Sequence, residues 1–429
     1  MRIDRPRLRE WTPVLLVWSC LLLLPFARLV ELPVALMGLW VLAHWRRYLA
    51  PLRRPGATRD YSLAFALVWV PALLSLPDAY DLGNTLRSTA GYLRFYLAGL
   101  FVLQALTDGT ARQRFLRLSA WLLLFWLADA LIQAAVGVDL FGHPYPEDRL
   151  NGLFGDNLKF GPILAMLAPL LLIQARRHWP PTVRIGVWAV LLLVLLLAGS
   201  RAGWVMFAVV VGGYLLYLRS TGLRPSRRWL ALAAALLLVT GTTGYQVSER
   251  FAARWDQTLE LLEPDRAAID WALSFRLDIW QTALAMIRAH PVNGVGARNF
   301  RHAYADFARP DDRFLHYNSG IGALHAHQLL LDAAAETGLI GLAGMFGLLG
   351  WLGRCWWRAG PLQRERALPY ALAVLAALFP FNSHYALFSS LFAQLLWWTI
   401  ALYLAALTAP EDRPASDPDW RRNPHDPSE

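Results

Sequence analysis

The chain of 429 residues is short of charge: only 17% of its residues are Asp, Glu, Lys or Arg, against 56% that are hydrophobic. The hydrophobic residues gather in blocks of about twenty, the length of helix that crosses about 30 Å of hydrocarbon. This composition argues against a soluble enzyme, a disordered regulator or a nucleic-acid-binding domain, although the net charge is +10. The sequence predicts an all-α polytopic membrane protein, because in lipid a helix satisfies its own backbone groups.

Cysteine and the common ligand motifs are equally scarce. The two cysteines, Cys20 and Cys355, lie in separate apolar segments, so no disulfide is expected. The chain has no glycine-rich loop for nucleotide phosphates, no His or Cys cluster with zinc spacing, and no outward-facing Asp-x-Asp pair for a divalent ion. We therefore expect no cofactor and no metal site. An enzyme of this kind would need arginine to bind an activated phosphate.

The apolar runs mark about twelve transmembrane helices, and the basic residues between them predict their orientation. Arginines cluster in alternate connections, for example at residues 46–59 and 219–228. By the positive-inside rule, these connections and both termini lie in the cytoplasm. The predicted spans are residues 11–30, 32–45, 61–77, 88–107, 116–137, 158–175, 183–199, 203–218, 229–247, 338–357, 367–386 and 389–408.

The spans divide the chain into four parts. Residues 1–247 hold the first nine helices, and residues 338–408 hold the last three. Between them, residues 248–337 form a long extracytoplasmic loop with helical segments at 251–262 and 269–289 and a helix that leads into the next span. A structured loop of this length is more often functional than a linker. Residues 409–429, rich in proline and acidic residues, are predicted to be a disordered cytoplasmic tail.

Several ionisable residues of the predicted outer face are candidates for a site. Arg201 interrupts an apolar run in Ser200-Arg-Ala-Gly-Trp204, where a snorkelling interfacial arginine is the structural alternative. Arg276 begins a segment that continues to the sequence His290-Pro-Val-Asn-Gly-Val-Gly296. An amphipathic helix with Arg276 paired to a neighbouring acid would explain this pattern without a function. Arg149 and Arg298 are further candidates, with solvated loop positions as the equal alternative.

Two histidines stand before the tenth span. His325 and His327 are predicted to lie in the first turn of the helix that leads into it. Residues two apart project to different sides of a helix, so a shared metal is not expected, and a hydrogen-bonded structural histidine is the default. A helix dipole and nearby arginines would nevertheless favour the neutral imidazole, which could act as a base near neutral pH. Within the bilayer, Arg94 and Asp129 fall at similar depths, which predicts an ion pair.

Taken in order, these elements resemble the O-antigen ligase and polymerase superfamily of bacterial envelope glycosyltransferases. The resemblance rests on three motifs and on a long loop late in a chain of about twelve spans. It is greatest to the ligase branch, and it departs from many relatives at Gln328, where they have Asn. The motifs are Ser200-Arg-x-Gly-Trp204, Arg288-x-His-Pro-x-x-Gly-x-Gly-x-x-Asn-Phe300, and His325-x-His-x-x-x-Leu331 with Glu336-Thr-Gly-Leu-Ile-Gly341.

The resemblance implies a glycosyltransferase of the inner membrane that acts at the periplasmic face. Its donor would be an O-antigen glycan on undecaprenyl diphosphate, its acceptor a sugar hydroxyl of lipid A core, and its membrane surroundings the only other partner. Arg201, Arg276 and His327 carry over as catalytic residues: the two arginines would bind the donor diphosphate and His327 would act as the base of an inverting transfer. Arg149, Arg298 and His325 are secondary substrate-binding candidates. A polymerase, a protein O-oligosaccharyltransferase and, from another class, a transporter remain alternatives.

Overall fold

The computed structural model describes residues 5–145, 149–155, 159–222, 227–247, 249–316 and 320–408, and the predicted tail at 409–429 lies outside them. The described residues form helices and no β-strand, as the composition predicts. The helices are α1 (Arg5–Leu22), α2 (Glu31–Ala43), α3 (Trp45–Leu49), α4 (Ala57–Leu74), α5 (Leu82–Ala105), α6 (Gly109–Val136), α7 (Phe160–His178), α8 (Pro181–Leu197), α9 (Arg201–Ser220), α10 (Arg227–Val247), α11 (Glu249–Leu259), α12 (Arg266–Ala272), α13 (Arg276–Ala289), α14 (Phe300–Phe307), α15 (Leu329–Arg358), α16 (Pro361–Leu378) and α17 (Ser390–Thr408).

Five helices, α6, α7, α9, α15 and α17, are long and apolar enough to cross a membrane. Residues 28–52, which include α2 and α3 and bend by 90°, would be a sixth span if counted as one. The chain is therefore a membrane protein with several spanning helices. Each of the twelve predicted segments falls mainly on one helix, but the number of spans, twelve, stays a prediction.

Helices α7 and α17 form the centre of the bundle, since nearly all their residues are buried. A helix that is apolar on every side must be surrounded by protein or lipid. Close packing against α9 depends on glycine: a Cβ on Gly203 would lie 3.0 Å from the carbonyl carbon of Gly161 in α7. This contact fixes the start of α9, where Arg201 stands, against the middle of the bundle.

The prediction that Arg94 and Asp129 form an ion pair is wrong. The Nε atom of Arg94 donates to Glu31 of α2 at 3.0 Å, and Arg94 also donates to Ser390 at the start of α17. Asp129 instead accepts a hydrogen bond from the backbone N–H of Leu140 at 3.0 Å. Depth in the membrane fixes only one coordinate of a side chain, whereas pairing also requires the two helices to turn those faces together.

The long loop contains the predicted helical segments, with one break that the sequence did not indicate. The segment at 251–262 is α11 followed by a 3-10 turn, and the segment at 269–289 is divided into α12 and α13. Ser274 and Phe275, which separate α12 from α13, both have left-handed backbone conformations, with φ of 57° and 61°. The break leaves Arg276 at the first position of a helix instead of in its interior.

Hydrogen bonds join the long loop and several short connections into one end of the bundle, called here the loop end. It consists of the long loop and the α4–α5, α6–α7, α8–α9 and α16–α17 connections. Backbone donors link these segments pairwise: Tyr80 to the Val295 carbonyl (2.8 Å), Leu150 to the Leu197 carbonyl (3.2 Å) and Leu329 to the Asn382 carbonyl (3.0 Å).

Candidate active site

Arg201 is fixed at the loop end by the turn that precedes α13. Ser200 caps α9, accepting a hydrogen bond from the backbone N–H of Gly203 at 3.3 Å. The guanidinium of Arg201 donates to the hydroxyl of Ser274 at 2.7 Å and to the carbonyl of Ala272. Both contacts lie within four residues of Arg276, so they bring the two predicted arginines to one place.

Arg276 lies in a positively charged, largely desolvated position. Burial, together with the charges of Arg201 and Arg149, lowers the pKa of Arg276 to about 10, so it is still protonated at neutral pH. Asp278, the acid nearest to Arg276 in sequence, lies 3.7 Å from Arg313 and does not pair with Arg276. Among the described residues, the guanidinium of Arg276 has neither a hydrogen-bond nor an ion-pair partner. Arg201 and Arg276, the latter without a partner among the described residues, have the charge and the donor geometry that suit a multivalent anion.

His327 has the hydrogen-bonding arrangement of a base. Its Nδ1 lies 3.3 Å from the carbonyl oxygen of Ser383. A carbonyl can only accept, so this contact places the proton on Nδ1 and leaves a lone pair on Nε2. Burial and the charge of Arg276 lower the pKa of His327 to about 4, so its imidazole is neutral at physiological pH. The backbone of His327 is left-handed, with φ of 50°, a conformation that is uncommon for residues other than glycine.

Both histidines lie in the non-helical residues before α15, called here the histidine segment, and not in the first turn of the helix as predicted. The helix begins at Leu329 with Gln328 as its N-cap, and the Gln328 side chain accepts from the backbone N–H of Leu331. The same side chain donates to the carbonyl of Pro380 at 2.9 Å. Gln328 therefore connects the histidine segment to the α16–α17 connection.

Asp332 holds the histidine segment in place. Its side chain is buried, and it accepts hydrogen bonds from the backbone N–H groups of Ala326 and Leu387, each at 3.1 Å. Ala326 lies between the two histidines, and Leu387 belongs to the α16–α17 connection. One carboxylate thus fixes both segments that surround His327.

A third histidine, His384, joins the site from the α16–α17 connection. Burial and the charges of His327, Lys159, Arg149 and Arg276 lower the pKa of His384 to about 3, which places all four groups in its surroundings. His325 packs on His327 with ring centroids 3.8 Å apart. Sequence reasoning missed His384 because the apolar run was assigned to a span as far as residue 386, whereas α16 ends at Leu378. The polar sequence Asn382-Ser-His was the signal that could have revealed it.

The motif around Gly294 and Gly296 is mainly structural. Backbone N–H groups of Val295 and Gly296 donate to the carbonyls of Ala335 and Glu336, at 2.9 and 3.0 Å. A Cβ on Gly294 would lie 2.5 Å from the carbonyl carbon of Glu336, so no larger residue fits. Asn299 extends the junction by donating to the hydroxyl of Thr85 at 2.8 Å.

Arg298 follows this junction and acts on His325 more than on Arg276. Its charge, together with that of Arg301, contributes after burial and the other two histidines to a pKa of His325 well below the ordinary value. The charges of Arg149 and Arg201 thus act on Arg276, whereas those of Arg298 and Arg301 act on His325. In the part of the chain that the structure describes, no group of three or more His, Cys, Asp or Glu residues is placed to hold a metal ion.

Residues 185–346 match the model of a protein family described as O-antigen ligase. This segment runs from α8 into α15 and confirms the resemblance. It contains Arg201, Arg276, Arg298, His325 and His327, whereas Arg149 and His384 lie outside it. A comparison with curated proteins found no match.

Proposed function

We propose that this protein, whose residues 185–346 belong to the O-antigen ligase family, is the ligase itself. Membership of that family makes it a membrane glycosyltransferase of the ligase and polymerase type, which acts on lipid-linked glycans. In our proposal it moves a polysaccharide from undecaprenyl diphosphate to a sugar hydroxyl of lipid A core at the periplasmic face. The observation that carries the proposal is a neutral histidine with a free lone pair beside a cluster of arginines.

The arginines would bind the donor. Guanidinium groups match phosphate oxygens with two parallel hydrogen bonds and stay charged at any relevant pH, so Arg201 and Arg276 can hold the diphosphate without a metal. Arg149 adds charge to the same group. Negative charge grows on the diphosphate as the glycosidic bond breaks, and donors fixed in advance in a poorly solvated site stabilise that charge strongly.

His327 would activate the acceptor. The acceptor oxygen forms a bond to the anomeric carbon while its proton passes to Nε2 of His327. The bond from that carbon to the phosphate oxygen breaks in the same step, and undecaprenyl diphosphate leaves with the electron pair. A single displacement of this kind inverts the configuration of the anomeric carbon.

Donor binding would also increase the basicity of His327. The charge of Arg276 is one of the two factors that depress the pKa of His327 in the free protein. A diphosphate bound at Arg276 would offset that charge, so the imidazole would accept a proton more readily once the donor is in place. This coupling would restrict proton abstraction to the complex that already holds a donor.

The predicted topology is compatible with this function. In a twelve-span arrangement with cytoplasmic termini, the loop end faces the periplasm, where lipid-linked glycans are the available donors. Residues 1–247 and 338–408 would then be the membrane part, and residues 248–337 the loop that supplies Arg276 and His327. A transporter would place its ionisable residues near the bilayer midplane. Here they gather at one end of the helices, which favours an enzyme.

The test is a transfer assay with purified protein, undecaprenyl diphosphate-linked glycan, and lipid A core either present or absent. His327→Ala is run in parallel, and the products are resolved by gel electrophoresis and mass spectrometry. Glycan on lipid A core, formed by the wild type and not by the variant, would support the ligase. Longer glycan on undecaprenyl diphosphate without lipid A core would identify a polymerase instead. Transfer to a protein serine alone would identify an oligosaccharyltransferase.

A further inference from the structure

The α16–α17 connection, residues 379–389, forms one wall of the site around His327. It lies outside the segment that matches the family model. Three consecutive residues at the start of α15 and just before it donate hydrogen bonds to this connection. These hydrogen bonds are Leu329 N–H to the Asn382 carbonyl (3.0 Å), Gln328 Nε2 to the Pro380 carbonyl (2.9 Å), and His327 Nδ1 to the Ser383 carbonyl (3.3 Å).

His384 presents an unsatisfied nitrogen in this wall. Its backbone N–H donates to the side chain of Asn382 at 3.1 Å, and its ring packs edge-on against Tyr385 with centroids 5.0 Å apart. The Nε2 atom is buried and has no hydrogen-bond partner among the described residues. The Nε2 atom of His325 is in the same condition. Buried polar atoms in folded proteins are nearly always paired, so two such atoms beside the proposed base indicate a missing ligand or water.

The charge around His384 restricts what that ligand can be. Burial opposes protonation of the His384 ring, and the charges of His327, Lys159, Arg149 and Arg276 oppose it further, so its pKa is low. A neutral imidazole binds a phosphate or carboxylate more weakly than the neighbouring arginines do, because a guanidinium group is charged and can form two parallel hydrogen bonds. A hydroxyl suits it well, because a hydroxyl can donate to an unprotonated nitrogen or accept from a protonated one.

We propose that His384 and His325 form a subsite for the hydroxyl groups of the acceptor sugar, one on each side of His327. The subsite rests on the proposed function: the hydroxyl that attacks is bound at His327, and hydroxyls on adjacent carbons bind the two flanking nitrogens. Recognition of the acceptor is thereby separated from recognition of the donor diphosphate, which belongs to the arginines. His384 is a binding residue of the acceptor, and the proton transfer itself needs only His327.

Acceptor-saturation kinetics at fixed, saturating donor test the subsite. His384→Leu removes the nitrogen, and it should raise the KM for lipid A core roughly tenfold, the effect of one lost hydrogen bond, while binding of the donor is unchanged. His384→Gln restores a polar group at the end of the side chain, so its KM for lipid A core should lie between those of His384→Leu and the wild type. The matched control is His316→Leu, a histidine on the exposed surface of the same loop end. An unchanged acceptor KM in both His384 variants would overturn the proposal.

A binding experiment separates failure of the subsite from failure of the proposed function. The probe is core oligosaccharide freed of its lipid, titrated by calorimetry into wild type, His384→Leu and His316→Leu, with melting temperature as the check on folding. Binding that weakens only in His384→Leu supports the subsite, even if wild type transfers no glycan to lipid A core. No binding by wild type, or equal binding by all three proteins, overturns it and indicates that water alone occupies the two nitrogens.

Discussion

Arg201 and Ser274 are joined by a hydrogen bond of 2.7 Å that connects the first residue of α9 to the turn in front of α13. Seventy-three residues separate them in sequence. Since Arg276 begins the helix that follows this turn, the contact sets the distance between the two arginines proposed to hold the donor. Under the proposed function, the Ser274 hydroxyl would therefore help to set the geometry of the diphosphate site.

Ser274→Ala tests this relationship. The variant leaves the guanidinium of Arg201 without one of its acceptors, and hydrogen bonds to charged groups contribute about 1.5–3 kcal/mol. We expect kcat/KM for the donor to fall roughly tenfold or more, together with a fall in melting temperature of a few degrees. Ser220→Ala, at the opposite end of α9, is the control. Equal kinetics for both variants would contradict a positioning role for Ser274.

Arg276→Lys tests whether the planar guanidinium matters beyond its charge. Lysine keeps the charge but cannot form two parallel bonds to a phosphate. Loss of one fixed donor to the developing charge lowers turnover by about 10² to 10³. Arg288→Lys, an exposed position near the other end of the same helix, should behave as wild type. Turnover of Arg276→Lys within a factor of about two of wild type would exclude a bidentate contact to the transition state.

The pH dependence of transfer follows from the environment of His327. Only the unprotonated imidazole can take the acceptor proton. In the free protein, burial and the charge of Arg276 hold the pKa of His327 at about 4, below the ordinary 6.5. We therefore expect kcat/KM for the donor to be constant around neutral pH and to fall only as the pH drops towards the pKa of His327, about 4. With saturating donor, the acid limb of kcat should move to higher pH. A limb at the ordinary histidine value in both profiles would contradict the proposed effect of burial and charge.

Asp332→Asn tests the carboxylate that holds the two segments around His327. An asparagine offers one oxygen where two backbone donors need an acceptor, and its amide group would face one of them. Leaving a buried donor unpaired costs about 1–3 kcal/mol, so both the melting temperature and the turnover should fall. Asp311→Asn, at an exposed carboxylate, should change neither. A variant with full turnover and a native melting temperature would show that these bonds are dispensable.

Gly338→Ala tests the break in α15. Gly338 has φ of 65° and ψ of −163°, and an added Cβ would lie 2.2 Å from the carbonyl oxygen of Val292. Both strain and the clash oppose alanine, and backbone strain of this kind alone costs about 1–3 kcal/mol. Gly350→Ala is a matched control in the same helix, because nothing lies within 4 Å of its Cβ. Thermal unfolding should separate the two variants; equal melting temperatures would contradict the packing described.

The helices could be predicted largely from the sequence, because apolar runs of sufficient length have no other stable form in lipid. Arg201 and His327 could be chosen as candidates because they lie in motifs, and Arg276 because it is an arginine of the long loop between those motifs. Their relative placement could not be predicted, since it depends on Ser274 and Asp332, whose contacts bridge distant parts of the chain. His384 was hidden by its apolar neighbours, and the pairing of Arg94 with Glu31 required a helix rotation that hydropathy does not encode.

The junction between the Gly294 motif and α15 limits how the long loop can move. Four main-chain hydrogen bonds form this junction. Val295 and Gly296 donate to the carbonyls of Ala335 and Glu336 in α15, and Leu339 and Ile340 of α15 donate to the carbonyls of Pro291 and Val292. A hinge motion that moves this part of the loop away from α15 would break all four hydrogen bonds together. Under the proposed function, donor and acceptor would therefore reach the histidines with this junction intact, and transfer would not require this part of the loop to open.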